Sequence, residues 1–284
     1  MICIDRSVHI MERSMTPDHA GAEAVVSASG LALDGSRGPV YLPTDLAVTP
    51  GCLHVLTGPP GSGRTSLLLT VAGRMTPTAG RLTVAGYRLP RHRGAVQCLV
   101  TLATVHGVND LDGALTVEEH VLERLALSSP WWRLLTPSTA DVPGVLATVD
   151  EPAYTGLDAD ALVSDLTPYD RFRLGVALAL ADQPSRHPRV LVVDDVDDLR
   201  EPDALDRAWR LLHRLAGSDA EPDAEPDAEP DTDRDGGGGR GVRGVRGGLA
   251  VLASCTDAGT LPDDVRLDER TVVHRTGRRK ETVR

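Results

Sequence analysis

The sequence reads as an α/β protein, one globular unit with a sheet core, and three observations predict it. From Val25 onward short apolar runs alternate with helical patterns, a glycine-rich passage joins a buried strand to a helix over residues 53–71, and about eighty residues without a convincing strand interrupt the series. A chain of 284 residues buries one good core, or one core plus a small subdomain. Insertions into one unit are therefore expected rather than two equal domains.

Taken in order, residues 1–24 hold no sustained period and contain Pro17 and Gly21, which predicts a ragged leader; Met11 and Met15 leave the true start open. Strands are expected at Val25–Leu33, Leu53–Thr57, Arg81–Ala85, Cys98–Val105, Val190–Asp194, Ala250–Ser254 and Thr271–His274. Helices are expected at Thr65–Met75, Val117–Leu127, Pro168–Ala181 and Asp203–Leu215. The strandless stretch, about residues 110–183, has the size of a helical subdomain inserted into a sheet domain spanning 25–275. Within it Trp131 and Trp132 read as core packing or as a coupling patch for a partner.

Residues 217–248 are low complexity, with three successive AEPD units, four consecutive glycines and a repeated GVR. With almost nothing apolar to bury, this insertion cannot offset its own ordering entropy, so disorder is expected. The basic run 276–284 reads as a solvated tail.

Charge and composition narrow the function classes. The formal net charge is −11, but nine acids and one arginine between Asp219 and Asp235 account for −8 of it, so the folded part is near neutral. Aromatic residues make up only 3% of the chain, which leaves no platform for stacking bases, and no nucleic-acid partner is expected. Cys3, Cys52, Cys98 and Cys255 lack metal-ligand spacing and read as buried free thiols of a reducing compartment. No apolar run reaches the ~18 residues of a membrane span, so a cytoplasmic protein is expected, and any membrane association must come through a partner.

Two segments carry chemistry. Residues 53–66 run Leu-His-Val-Leu-Thr-Gly-Pro-Pro-Gly-Ser-Gly-Arg-Thr-Ser, which meets the phosphate-loop pattern at Gly58, Gly63 and Thr65, with Arg64 where lysine is usual. Glycines let backbone N–H groups turn toward phosphate, and the following helix adds its positive end. The nucleotide-binding set is thus Gly58, Pro59, Pro60, Gly61, Ser62, Gly63, Arg64, Thr65 and Ser66, with the Thr65 hydroxyl a ligand for Mg²⁺. Arg64 keeps the charge, but a planar guanidinium cannot take the place of an ammonium between phosphates. The second segment, Val190–Asp195, is a buried strand ending in two acids, with Asp194 the second candidate Mg²⁺ ligand.

With these parts in place, residues 25–275 resemble the ATPase subunits of ATP-binding-cassette (ABC) transporters. Leu115-Thr116-Val117-Glu118-Glu119-His120-Val121 is similar to the stretch that opens the family's helical subdomain, and Asp165–Leu174 stands where its signature segment is expected. The resemblance implies a P-loop sheet core of ABC type with an inserted helical subdomain, and Mg·ATP as ligand. It also implies an integral membrane subunit and a second nucleotide-binding domain, in a homo- or heterodimer, as partners.

The departures bear on catalysis. Asp195 stands where the catalytic glutamate is expected, one methylene shorter, and is the candidate base or water orienter. Leu166-Thr167-Pro168-Tyr169-Asp170 replaces the glycine-bearing signature and reads locally as a helix start, with Thr167 the cap and Pro168 the first residue. No histidine follows the Ala250 strand, where Cys255-Thr256-Asp257 stands. The loop expected to carry a sensing glutamine reads Val105–Asp110, where His106 or Asn109 is the substitute and a solvated loop the alternative; Gln97 lies too early. Tyr41 is the nearest aromatic for stacking on adenine.

Overall fold

The computed structural model describes residues 24–128, 137–151, 154–181, 188–217 and 248–276. The expected leader, the 217–248 insertion beyond its first and last residues, the basic tail after Thr276, and Trp131 and Trp132 lie outside the described residues.

Strands β1 (Val26–Gly35) and β2 (Gly38–Val48) form a hairpin, and β3 (Leu53–Thr57) leads through the glycine-rich loop into α1 (Arg64–Val71). Strands β4 (Ala79–Val84) and β5 (Tyr87–Leu89) and helix α2 (Arg93–Gln97) precede β6 (Val100–Ala103). Helices α3 (Val117–Ser128), α4 (Val142–Ala147) and α5 (Pro168–Leu180) come before β7 (Val190–Val193) and α6 (Pro202–Gly217). The described part closes with β8 (Ala250–Cys255), α7 (Asp263–Arg266) and β9 (Thr271–Arg275).

Five strands make a parallel sheet in the order β6-β7-β8-β3-β9, and four make an antiparallel sheet in the order β2-β1-β4-β5. The central strands β7, β8 and β3 of the parallel sheet are buried at every position because both faces are covered. Alternation along them divides the core in two. Leu56, Val190, Val192 and Leu252 face α1 and the antiparallel sheet, while Val55, Leu191, Val193 and Val251 face α5 and α6, with Trp209 fully buried among them. Each such side chain contributes about 1.5–3 kcal/mol by leaving water. A third cluster, Val117, Val121, Val142, Leu146, Leu174 and Leu178, holds α3, α4 and α5 together.

The expected strand and helix positions agree with the observed ones to within a few residues, but β2, β5, α2, α4 and α7 were not anticipated. β2 carries Pro39 and Pro43, which argue against a strand in sequence; it is tolerated because β2 lies at a sheet edge, where a missing N–H breaks no second ladder. β5 is three residues long, and α2 occupies five residues just ahead of β6, which starts at Val100 rather than Cys98. Among the described residues, Cys52, Cys98 and Cys255 are free thiols, with only Cys255 fully buried.

Candidate nucleotide site

The loop between β3 and α1 sits at the carboxyl edge of the parallel sheet. The fully buried β3 fixes its entry, and α1 begins at Gly63, whose φ of 86° would strain any residue with a Cβ. A Cβ there would also lie 2.4 Å from the Val40 carbonyl, so α1 abuts β2 directly. No side chain caps α1, which leaves its first N–H groups without a side-chain acceptor at the loop. On the other side Thr276, just past β9, donates its N–H to the Thr57 carbonyl at 2.6 Å and lies 3.2 Å, hydroxyl to hydroxyl, from Ser62.

Above the loop opens a cavity of about 710 Å³, within the 300–1,000 Å³ of small-molecule sites. One wall is Pro60 to Ser66, another is the β1–β2 hairpin tip from Gly35 to Val40, and a third is Asp195, Asp197, Asp198 and Thr256. Of the expected site residues, Pro60, Gly61, Ser62, Gly63, Arg64, Thr65, Ser66 and Asp195 are brought to one cleft. Gly58 and Pro59 form the loop's stem, where Ser62 N–H donates to the Pro59 carbonyl at 3.1 Å. Asp194 is buried beneath the cleft rather than lining it, and its Oδ1 accepts from the Ser254 hydroxyl at 2.5 Å. The same hydroxyl accepts the Asp195 N–H at 2.9 Å, so Ser254 of β8 fixes both acids. Nothing in the sequence signals that role, because Ser254 reads simply as part of a buried strand.

Arg64 does not reach up into the cleft as a free cation. Its guanidinium, 7% exposed, donates to the Gly58 and Cys255 carbonyls, the latter at 2.9 Å, and to Asp195 Oδ1 at 2.6 Å. Asp195 is held with φ 41°, an uncommon conformation for a residue with a Cβ. Burial and the neighbouring Asp194 push its carboxyl above the usual range, and Arg64 pulls it back only in part.

One other expectation, a ring to stack on adenine, is corrected here. Tyr41 is 4% exposed, packed in the core, with its hydroxyl donating to Thr70 at 3.0 Å. A ring so placed cannot stack on a base in the cleft. Asn109 spends both ends of its amide on its own loop, donating to Leu102 O at 2.9 Å and accepting from Val105 N at 2.8 Å. His106 is solvent-exposed beside Asp110, so this segment is the solvated loop of the two readings, and Gln97 is tied to the Gly73 carbonyl. Where a histidine was expected after β8, Thr256 donates from its N–H and hydroxyl to Asp197.

The segment opening α5 is the helix start read from the sequence. Thr167 caps it, accepting from Asp170 N at 3.1 Å, and Pro168 occupies the first helical position. Tyr169 turns inward, 3% exposed, and donates to Glu151.

A parallel sheet whose strand ends carry a glycine loop and paired acids defines a P-loop nucleotide-binding class of protein. Comparison with known proteins narrows this: the family model described as ABC transporter matches residues 42–197, more than half of the chain, and the chain belongs to that family. It is 32% identical over 145 residues to the phosphonates import ATP-binding protein PhnC of Hyphomonas neptunium, covering 49% of this chain and 54% of that one. It is 28% identical over 197 residues to the Nod factor export ATP-binding protein I of Rhizobium meliloti, covering 69% of this chain and 55% of the relative. The chain thus spans little more than half the length of these curated relatives. Among solved structures it is similar to the dimeric structure of MJ0796, a bacterial ABC transporter cassette, with a TM-score of 0.60 and 16% identity over 89% of this chain and 95% of that one. It is also similar to cbiO1 from Clostridium perfringens, described as part of an ABC transporter complex, with a TM-score of 0.57 and 14% identity over 83% and 79% of the two chains.

Proposed function

We propose that this chain is the ATP-binding subunit of an ABC transporter that binds Mg·ATP but turns it over slowly or not at all. The loop and its uncapped helix fit a triphosphate: α1 offers unpaired N–H groups, and Gly61 has open space around it. Mg²⁺, held by Thr65 and by Asp194 beneath, would offset phosphate charge.

The observation that carries the reading is the Arg64–Asp195 pair. A carboxylate orienting water needs an oxygen free to accept that water's proton. Asp195 is a methylene shorter than glutamate, and its Oδ1 is bound by a guanidinium that is itself anchored to two carbonyls, so only Oδ2 is left and its direction is set by that bond rather than by a water. The capped start of α5 supports the same conclusion: Pro168 has no N–H to offer a phosphate, and the Asp170 N–H is already taken by the Thr167 hydroxyl. A second reading, a nucleotide-dependent scaffold with no turnover, rests on the same pair.

For partners we propose an integral membrane subunit and a second cassette, which places the chain on the cytoplasmic face of the membrane. Support comes from a groove between the helical unit and the sheet, lined in part by Val108 and Leu127, which are 52% and 75% exposed. Among the described residues no helix is long and apolar enough to cross a membrane.

The test pairs calorimetry of Mg·ATP binding with phosphate release, repeated on Thr65→Ala and Asp194→Asn. Binding weakened at least tenfold in both variants, with little phosphate released by any form, is the expected result. Turnover at ordinary ATPase rates, abolished by the variants, would show that Arg64 and Asp195 are tolerated. No binding at millimolar ATP would overturn the reading.

A further inference from the structure

We infer that this chain holds a nucleoside diphosphate at least as tightly as the triphosphate, because the wall that meets the terminal phosphate is acidic and the arginine beside it is already committed. The inference rests on the nucleotide reading above and concerns which phosphates the same cleft rewards.

The loop side and the acid side of the cleft differ in what they offer. Along Pro60–Ser66 a ligand meets backbone N–H groups and the uncapped start of α1, whose positive end favours an anion. A phosphate lying there needs no side chain. The other side is the turn after β7, where Asp195, Asp197 and Asp198 line the cleft and Asp194 is buried beneath them. A Mg²⁺ ion held by Thr65 and Asp194 would bridge the last two phosphates of a triphosphate. The terminal phosphate is then drawn to the acid side.

Among the described residues, the side-chain donors at this wall are already engaged. Arg64 stands where a lysine would reach the β- and γ-phosphates, yet it is 7% exposed and donates to the Gly58 and Cys255 carbonyls and to Asp195 Oδ1. Thr256 gives both its N–H and its hydroxyl to Asp197 Oδ2, and the Ser254 hydroxyl donates to Asp194. Arg37, the other arginine of the lining, belongs to the hairpin wall. A third phosphate therefore adds negative charge beside carboxylates without gaining a side-chain bond. The repulsion is greatest from Asp195, which is partly buried, and weaker from Asp198, which water screens. Asp195 acts twice, since it also holds the guanidinium that a terminal phosphate would need. Affinity is then set by the phosphates that lie along the loop, and Mg²⁺ narrows the penalty on the third by neutralising charge.

The experiment is calorimetry on the full chain with ADP and ATP, each in excess Mg²⁺ and in EDTA, for wild type, Asp195→Asn and Asp198→Asn. In EDTA wild type should bind ADP about tenfold more tightly than ATP, and with Mg²⁺ the two should agree within about threefold. Asp195→Asn should raise ATP affinity in EDTA about tenfold and leave ADP within about twofold. Asp198→Asn, a change at an exposed side chain, should raise it about threefold, and it carries the test if Asp195→Asn fails to fold. ATP bound more than about threefold more tightly than ADP by wild type in Mg²⁺, or an ATP-to-ADP ratio in EDTA that neither variant moves, would overturn the inference while the nucleotide site stands. If neither nucleotide binds under either condition, the nucleotide reading fails and the inference falls with it.

Discussion

Helices α1 and α5 begin in opposite ways, and the contrast separates a helix end left open from one closed by its own chain. α1 starts at a glycine with no side-chain cap and opens onto a cavity, while α5 starts at Thr167, whose hydroxyl takes the Asp170 N–H, with proline next and a buried tyrosine after it. Both ends carry the same partial positive charge. One leaves its donors for an anion, and the other satisfies them from its own chain. A helix terminus is therefore a binding site only when the local sequence declines to finish it.

The comparison can be broken at several points. The largest expected effect is at the open end: Gly63→Ala forces a Cβ into the Val40 carbonyl at positive φ, and should cost about 3 kcal/mol in urea unfolding. Nucleotide binding should be lost with it.

Next is a pH effect on the strands that carry the loop. His54 and His274 stack with centroids 5.3 Å apart and ring nitrogens 3.0 Å apart, joining β3 to β9. Burial lowers His54 to about 3, helped by the charge of its neighbour, and lowers His274 to about 4. Both pKa values are below the unfolded value of 6.5, so the unfolded chain binds more protons in acid. Stability is then complete above about pH 6.5 and falls as pH drops toward 4, by roughly 1.4 kcal/mol per pH unit for each imidazole. Unfolding curves between pH 7 and 5 should show this slope, and His54→Gln should reduce it.

Sharper still is the double change Arg64→Lys with Asp195→Glu, which replaces the anchored guanidinium–aspartate bond with a flexible ammonium and a longer carboxylate and should raise phosphate release about tenfold. An unchanged rate would shift the defect to α5. The smallest effect is expected at the closed end, where Thr167→Ala loses a cap worth about 1 kcal/mol and should leave Mg·ATP affinity unaltered.

How much of this could be read in the sequence depended on how local the cause was. The strand, loop and helix from Leu53 to Val71 were legible because a buried strand and glycines are written in consecutive residues. So was the start of α5, where threonine and proline name their own positions. β2 was hidden by Pro39 and Pro43, since whether a strand tolerates proline depends on where it lies in the sheet. Tyr41 was misplaced for a related reason: alternation along an unrecognised strand decides which way its ring points. The Arg64–Asp195 bond joins residues 131 apart, and the His54–His274 pair residues 220 apart, so neither leaves a mark in any local pattern.

Thr276 binds the Thr57 carbonyl and touches Ser62, so the phosphate loop is braced by a residue more than two hundred positions downstream. During synthesis the loop emerges early but waits for almost the whole described chain before its last support arrives. Nucleotide affinity in a nascent or truncated chain would therefore report whether the far edge of the sheet has closed, and a ligand that waits for that edge cannot trap the protein half made.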